Sequence, residues 1–417
     1  MVDEQVETLL GLFGAVCIEG PKWCGKTWTS SVHCSSLIML GDPSGDFQNK
    51  RLAEMSPNLV LEGDTPHLID EWQEVPRLWD AVRYEVDQRG LKGQFILTGS
   101  STPAIKGVLH SGAGRIKRLR MYPMSLWESG DSSGDVSIKD LFDGNVTSKR
   151  IQQADLKRLI YLCVRGGWPG AIGAAERHAG DMAKAYVDTI LEYDIFKLDE
   201  KNYDTRKISM LMRSLARNES TTVSIKSLAN DITETDGVKV DTDTLSNYLS
   251  LLDRLFLLRN QPAFDTNIRS SVRVKQMEKR HFVDPSIACA MLGAKTDRLL
   301  ADLKTFGFMF EAMAERDLHI YAESIGARLY HYQNYNNSEI DAVIELEDGR
   351  WGAFEIKLGA DRIDEGAESL LKVRSDMLAS NPQAHTADVM CVICGMTNSI
   401  YQRPDGVWVV PLTALRN

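Results

Sequence analysis

The octapeptide Gly20-Pro21-Lys22-Trp23-Cys24-Gly25-Lys26-Thr27 constrains this chain more than any other stretch, because it satisfies G-x-x-x-x-G-K-[ST] at every fixed position. The apolar run Ala15-Val16-Cys17-Ile18 precedes it and a helical stretch follows, so it reads as a strand-to-helix turn in a parallel α/β sheet. Glycines let such a turn curl until its backbone N–H groups face one point, and the helix N-terminus adds a positive dipole end. A nucleotide polyphosphate suits that arrangement. The whole octapeptide is the expected cradle, with Lys26 on the β- and γ-phosphates and the Thr27 hydroxyl on magnesium, so the implied cofactors are ATP and Mg2+.

Two later strands add to the same site. Pro66-His67-Leu68-Ile69-Asp70-Glu71 is an apolar strand ending in acid; Asp70 is expected beside the metal and Glu71 where it polarises the attacking water. Phe95-Ile96-Leu97-Thr98-Gly99-Ser100-Ser101 is a strand with a polar tip, from which Ser100, or Thr98 in its place, is expected to hydrogen-bond the γ-phosphate or the water. Gly112-Ala113-Gly114-Arg115 opens a basic stretch with Lys117, Arg118 and Arg120. Arg115 is the candidate for stabilising transition-state charge, from its own chain or across a homo-oligomer. The plain alternative is a solvated basic strand or a nucleic-acid contact.

Strands are expected at Ala15–Glu19, Leu37–Leu40, His67–Asp70, Gln94–Thr98 and within Ile116–Met121, joined by helical crossovers. Glu128–Gly144, rich in Gly, Ser and Asp, reads as a mobile loop or linker. A helical stretch runs from Gln153 to Arg217, broken at Arg165-Gly166-Gly167-Trp168-Pro169-Gly170. Ser224–Asp231 and Thr242–Leu252 are two helical patterns, with Leu255–Leu258 and Val272–Lys275 as strands of a wing, and a helix at Leu303–Ala322 leads into further strands. The expected division is 1–130 as the ATPase domain, 150–217 as a helical linker or lid, 220–293 as a winged helix and 295–417 as an α/β domain. The chain has 417 residues, enough for roughly two or three domains of ordinary size, and 43% hydrophobic with 25% charged residues is a core-forming mix.

No apolar run reaches the ~18 to 20 residues of a membrane helix. The acidic start Met1-Val2-Asp3-Glu4-Gln5 does not read as a secretory signal, and seven cysteines, odd and sparse, fit reduced thiols in the cytoplasm. Cys391 and Cys394 form a C-x-x-C inside an apolar strand, where residues three apart face opposite sides, against a metal or redox pair. A net charge of −10 disfavours a nonspecific nucleic-acid coat while leaving room for a local basic patch.

Read in order, these motifs resemble the AAA-type ATPases of the archaeal-type ATPase family of bacteria and archaea. The resemblance rests on the phosphate loop, Ile69-Asp70-Glu71, Leu97-Thr98-Gly99-Ser100-Ser101, and Gly114-Arg115-Ile116 leading to Tyr122-Pro123-Met124-Ser125. It continues through Gly166-Gly167-Trp168-Pro169, Tyr186–Asp194, Glu339-Ile340-Asp341 and Glu355-Ile356-Lys357, nearly the whole chain. It implies an AAA-like core, a winged-helix unit and a restriction-endonuclease-like C-terminal fold.

In the C-terminal part, Glu311 on a helix, Asp341 on a strand and Glu355-x-Lys357 on the next strand resemble a magnesium-dependent nuclease core. With Glu347-Asp348-Gly349 as a three-residue loop, Leu346 faces Arg350 and Asp341 faces Glu355; a two-residue Asp348-Gly349 loop would split the carboxylates between faces. The alternative is a nuclease-like fold kept for binding or packing. Thr242–Leu252 resembles a recognition helix whose outer side carries Thr244, Ser246, Asn247 and Ser250, with Lys226, Lys239, Arg254 and Arg273 as candidate backbone contacts. The sequence thus points to an ATPase coupling nucleotide state to a DNA-associated activity of its C-terminal half. Its rivals are a nucleotide-gated protein-binding switch and an ATP-gated nuclease.

Overall fold

β1 (Ala15–Glu19) is buried along its whole length, as a strand with an unbroken apolar sequence must be when helices cover both faces of its sheet. The computed structural model describes residues 1–102, 108–152, 154–198, 203–233, 240–334 and 338–417. Among these, β1 joins β2 (Ser36–Met39), β3 (His67–Asp70), β4 (Phe95–Gly99) and β5 (Ile116–Arg120) in an all-parallel sheet of order β2-β3-β4-β1-β5. Side-chain alternation divides its core. Val16, Ile18, Leu68 and Ile96 pack on Val6 of helix Val2–Leu12. Ala15, Cys17, Ile69 and Leu97 pack with Leu78, Trp79, Val82 and Val86 of helix Arg77–Arg89. The order places β4 between β1 and β3, so the tips of these three strands stand side by side at the carboxyl edge, where α/β sheets bind ligands.

The elements gather into two units. One holds Met1–Pro123, Glu192–Tyr203 and Leu249–Leu257; the other holds Met124–Leu191, Asp204–Tyr248 and Leu258–Asn417. In the second unit, β7 (Lys149–Arg150), β8 (Arg328–Gln333), β9 (Glu339–Glu345), β10 (Trp351–Lys357), β11 (Val389–Cys394), β12 (Ser399–Gln402) and β13 (Trp408–Pro411) form a mixed sheet of order β7-β12-β13-β11-β10-β9-β8. Helix Leu303–Ser324 is buried along much of its length. Within it Arg316, itself buried, bridges Asp284 at 2.8 Å and Asp317 at 2.7 Å, and Asp317 accepts the Leu126 N–H at 3.0 Å. The Gly166-Gly167-Trp168-Pro169 break follows helix Leu156–Arg165, and Trp168 donates to Ser286 at 2.9 Å.

Two local expectations are corrected. Glu128–Gly144 is built structure: β6 (Val136–Ser137) pairs with β14 (Leu415–Arg416), and helix Ile138–Asp143 buries Ile138, Leu141 and Phe142. The partner strand is remote in sequence, so local composition hid it. Val272–Lys275 is a helical turn rather than a wing strand, with Val274 exposed to solvent. The extended pairing runs instead between Leu258 and Phe282 and between Gln261 and Lys279. The stretch from Gln153 to Arg217 is helical as expected, in several helices with the break after Arg165, and Gln153 itself, like Lys239, lies outside the described residues. Among the described residues no helix is long and apolar enough to cross a membrane.

A Cβ placed on Gly20 would lie 2.2 Å from the Met121 carbonyl oxygen, a backbone atom that cannot step aside. Gly20→Ala should therefore lower stability by about 1–3 kcal/mol, an overpacking cost, read as a lower urea midpoint with an unchanged slope.

Candidate active site

Directly beyond β1 the chain turns through Gly20–Gly25 into helix Lys26–Val32, with Trp23 at φ 65° and Gly25 at φ 103°. The turn is anchored by the Gly20 N–H, which donates to the Gly99 carbonyl at 3.2 Å. Cys24 is fully buried, and burial pushes its thiol up, so this residue serves as core while its backbone belongs to the loop. Trp23 is half exposed at the rim. Lys26 is buried and its ammonium donates to the Pro21 carbonyl at 2.8 Å, which keeps the charge folded over the loop. Lys22 pairs at 2.5 Å with the buried Asp194, an acid that the sequence motifs did not single out.

The Asp70 carboxylate links the loop to two strands. Its Oδ1 accepts from the Thr27 hydroxyl at 2.9 Å and from the Thr98 hydroxyl at 2.6 Å, and Thr98 Oγ1 in turn accepts the Glu71 N–H at 2.9 Å. Thr98, the less favoured of the two tip residues in the sequence reading, is thus the one bonded to Asp70. Glu71 sits in the left-handed region at φ 59°, strain of order 1–3 kcal/mol for a residue with a Cβ. That backbone turns its carboxylate to Ser100, whose hydroxyl donates to Oε2 at 2.9 Å. Gln73, which the sequence reading missed, donates its amide to the same oxygen. Thr27 and Asp70 fit a magnesium ion, which takes few protein oxygens and completes its shell with phosphate and water.

Arg115 lies elsewhere. The register pairs Ala15 with Ile116, so Arg115 precedes β5 at the amino edge of the sheet while the loop leaves the carboxyl edge, about 20 Å away at ~3.3 Å per residue. It is ion-paired with Asp87 at 2.8 Å. A role on the phosphate of its own chain is therefore corrected: β5 runs parallel to β1, which puts its first residue at the wrong end. Arg118 is held by Glu19 at 2.5 Å and lies over the Trp79 ring.

In the second unit the hairpin adopts the three-residue loop, with Leu346 N–H on the Arg350 carbonyl at 2.9 Å and Ala342 opposite Phe354. Asp341, Glu355 and Lys357 consequently share a face. Lys357 Nζ is 2.6 Å from Glu355 and 3.8 Å from Asp341, and Asp341 Oδ2 accepts the Ile356 N–H at 2.8 Å. Glu311 is directed to a different cation: the Lys279 ammonium lies 2.8 Å from Glu311, 2.7 Å from Glu315 and 3.4 Å from the Asp341 carbonyl oxygen. Asp341 and Glu355 are buried, at 9% and 2% exposure. Among the described residues no group of three or more His, Cys, Asp or Glu is arranged to hold a metal. Two lysines supply the positive charge here.

Burial, then the Asp341 charge, pushes Glu355 up to about 8. Burial opposes the Lys357 ammonium, but Asp341 and Glu355 outweigh it and push it up to about 12. The folded state thus keeps a proton on Glu355 that the unfolded chain gives up above its ordinary value near 4.5. That contribution is full below pH ~4.5 and is lost as pH rises towards 8. The melting temperature should fall across this window, and Glu355→Gln, a neutral isostere, should flatten the fall; equal slopes in the two proteins would contradict it.

The AAA domain family matches residues 13–129, a domain of unknown function (DUF8612) matches 156–298, and another (DUF4143) matches 306–415. Uncharacterised proteins of Mycobacterium tuberculosis and Mycobacterium bovis are each 25% identical over 346 residues, 82% of this chain and 70% of theirs. Among solved structures, a Walker-type ATPase of Pyrococcus abyssi aligns with 70% of this chain and 94% of its own, at TM-score 0.43 and 15% identity. AMPPCP-bound DnaA of Aquifex aeolicus aligns with 60% of this chain and 85% of its own, at TM-score 0.26 and 16% identity. The AAA match lies over the phosphate loop and its parallel sheet, so residues 13–129 are similar to AAA domains and carry a P-loop in a parallel α/β sheet.

Proposed function

We propose that the chain hydrolyses ATP with magnesium at the loop Gly20–Thr27. The observation that carries this reading is the Thr27–Asp70–Thr98 tie with the Glu71 carboxylate held one residue beyond it. Magnesium, when bound, neutralises charge developing on the phosphates. The loop's N–H groups hold the phosphate oxygens, Lys26 exchanges its Pro21 carbonyl for them, and Thr27 and Asp70 orient the metal's face of the site. Glu71 orients a water and takes its proton. Ser100 serves Glu71 rather than the γ-phosphate, a reading supported by its hydrogen bond to Oε2.

For the C-terminal half, the side chains favour a nucleotide-gated binding switch over DNA handling or cleavage. Helix Thr242–Arg254 carries no Lys or Arg before its last residue, and its outer positions include Asp243 and Asp253. Arg273 is taken up by Glu345 at 2.8 Å, and Arg254 donates to the Thr102 and Leu198 carbonyls. Lys279 and Lys357 stand beside the carboxylates that a nuclease would give to metal. Turnover should be the same with and without duplex DNA at low salt, and incubation with DNA and manganese should leave the DNA intact. A salt-sensitive stimulation would restore the DNA-associated reading.

Lys26→Ala should abolish nucleotide binding, and Glu71→Gln should bind ATP with near-normal affinity while turnover falls roughly 100-fold or more, measured by calorimetry and phosphate release. Wild-type turnover in Glu71→Gln would remove Glu71 from the chemistry.

We further propose a homo-oligomer in which Arg115 acts on a neighbour's nucleotide, since its own lies at the other edge of the sheet. Turnover per chain should rise with protein concentration, and mixing Arg115→Ala with Lys26→Ala protein should recover activity. A flat rate through the assembly range would rule this out.

A further inference from the structure

We propose that Gln73 is the positioning residue of the hydrolytic site, clamping Glu71 so that one carboxylate oxygen is fixed and the other is left for water. The inference rests on the ATPase reading above and deepens it. The Gln73 amide nitrogen donates to Glu71 Oε2 and lies 3.2 Å from Ser100 Oγ, which itself donates to Oε2 at 2.9 Å. Glu71, Gln73 and Ser100 thus form a closed triangle. Two donors on one oxygen stop the carboxylate from rotating about its last bond. Among the described residues Oε1 accepts no hydrogen bond, so it is the oxygen presented to a water.

The backbone is arranged for this clamp. Glu71 in its left-handed conformation starts the turn Trp72–Glu74, closed by the Glu74 N–H on the Glu71 carbonyl at 2.9 Å. That turn brings a side chain two residues on back over Glu71, which an extended strand would also align but carry away along its axis. Trp72, buried against the Trp79 ring at 4.9 Å, anchors the turn between the two polar residues. On the facing strand, Gly99 makes room: a Cβ there would lie 2.9 Å from Trp72 Nε1 and 3.2 Å from Gln73 Oε1. The glycine before Ser100 therefore lets the clamp close on its hydroxyl.

Loss of the clamp leaves Glu71 present but free to rotate, so the rate should suffer and nucleotide binding should not. Gln73→Ala should lower kcat roughly 10- to 100-fold with KM changed less than about twofold, the cost of a misplaced catalytic group. The split between kcat and KM separates positioning from packing, since a fold disturbed at the site would weaken nucleotide binding as well. Wild-type kcat in Gln73→Ala, or a KM that rises as much as kcat falls, would overturn the inference. A urea-unfolding cycle of Glu71→Ala, Gln73→Ala and the double variant reads the clamp without turnover. A chain that hydrolyses no ATP yet shows coupling between the two sites would refute the ATPase reading and keep the clamp; additive effects would refute the clamp.

Discussion

One carboxylate oxygen, Asp70 Oδ1, holds the nucleotide site in register. It receives a hydroxyl from the helix that follows the phosphate loop and another from β4, so three separate elements meet on a single acceptor. Because β4 stands between β1 and β3, Asp70 reaches the loop across the tip of β4, and Thr98 fills that gap. The same threonine oxygen accepts the Glu71 N–H, so the residue that braces the Asp70 carboxylate also fixes the backbone of Glu71. Strain at Glu71 persists because this bond and the following turn both demand that conformation.

The second unit treats buried charge differently. Its acidic residues are met by ammonium groups from nearby strands and from a segment before the long helix, rather than by an arrangement open to a divalent ion. Removing one partner from such a group is costly, since the survivor is left charged and desolvated. Lys279 and Lys357 therefore serve the fold, whatever the ancestry of the pattern around them.

Sequence disclosed what chemistry forces to be contiguous. A polyphosphate cradle needs glycines, a lysine and a hydroxyl within one turn, and an unbroken apolar strand before it, so Gly20–Thr27 and β1 were legible together. Asp70 and Glu71 were legible once the loop was recognised, and the hairpin register followed from loop length and the placement of Gly349. Long-range partners left no local trace. Nothing in Glu128–Gly144 announces a strand partner at Leu415, nor does Lys279 announce carboxylates on a later helix. Gln73 lies two residues from Glu71, yet its role depends on a left-handed backbone that alternation along a strand would not suggest. The edge of the sheet at which Arg115 stands was not legible, because motif order gives neighbourhood along the chain but not which end of a parallel strand a residue occupies.

The pairing of β6 with β14 has a consequence for biosynthesis. Val136–Ser137 leave the ribosome long before Leu415–Arg416, and translation proceeds at ~5–20 residues per second, so β6 waits on the order of tens of seconds for its partner. During that interval the apolar Val136, Ile138 and Leu141 of a nascent chain lack a cover that the finished unit provides. The first unit is likewise incomplete until Leu249–Leu257 has emerged. Each unit therefore closes only when a segment remote in sequence arrives, the first at Leu257 and the second at the last strand, and until then part of its apolar surface stays uncovered.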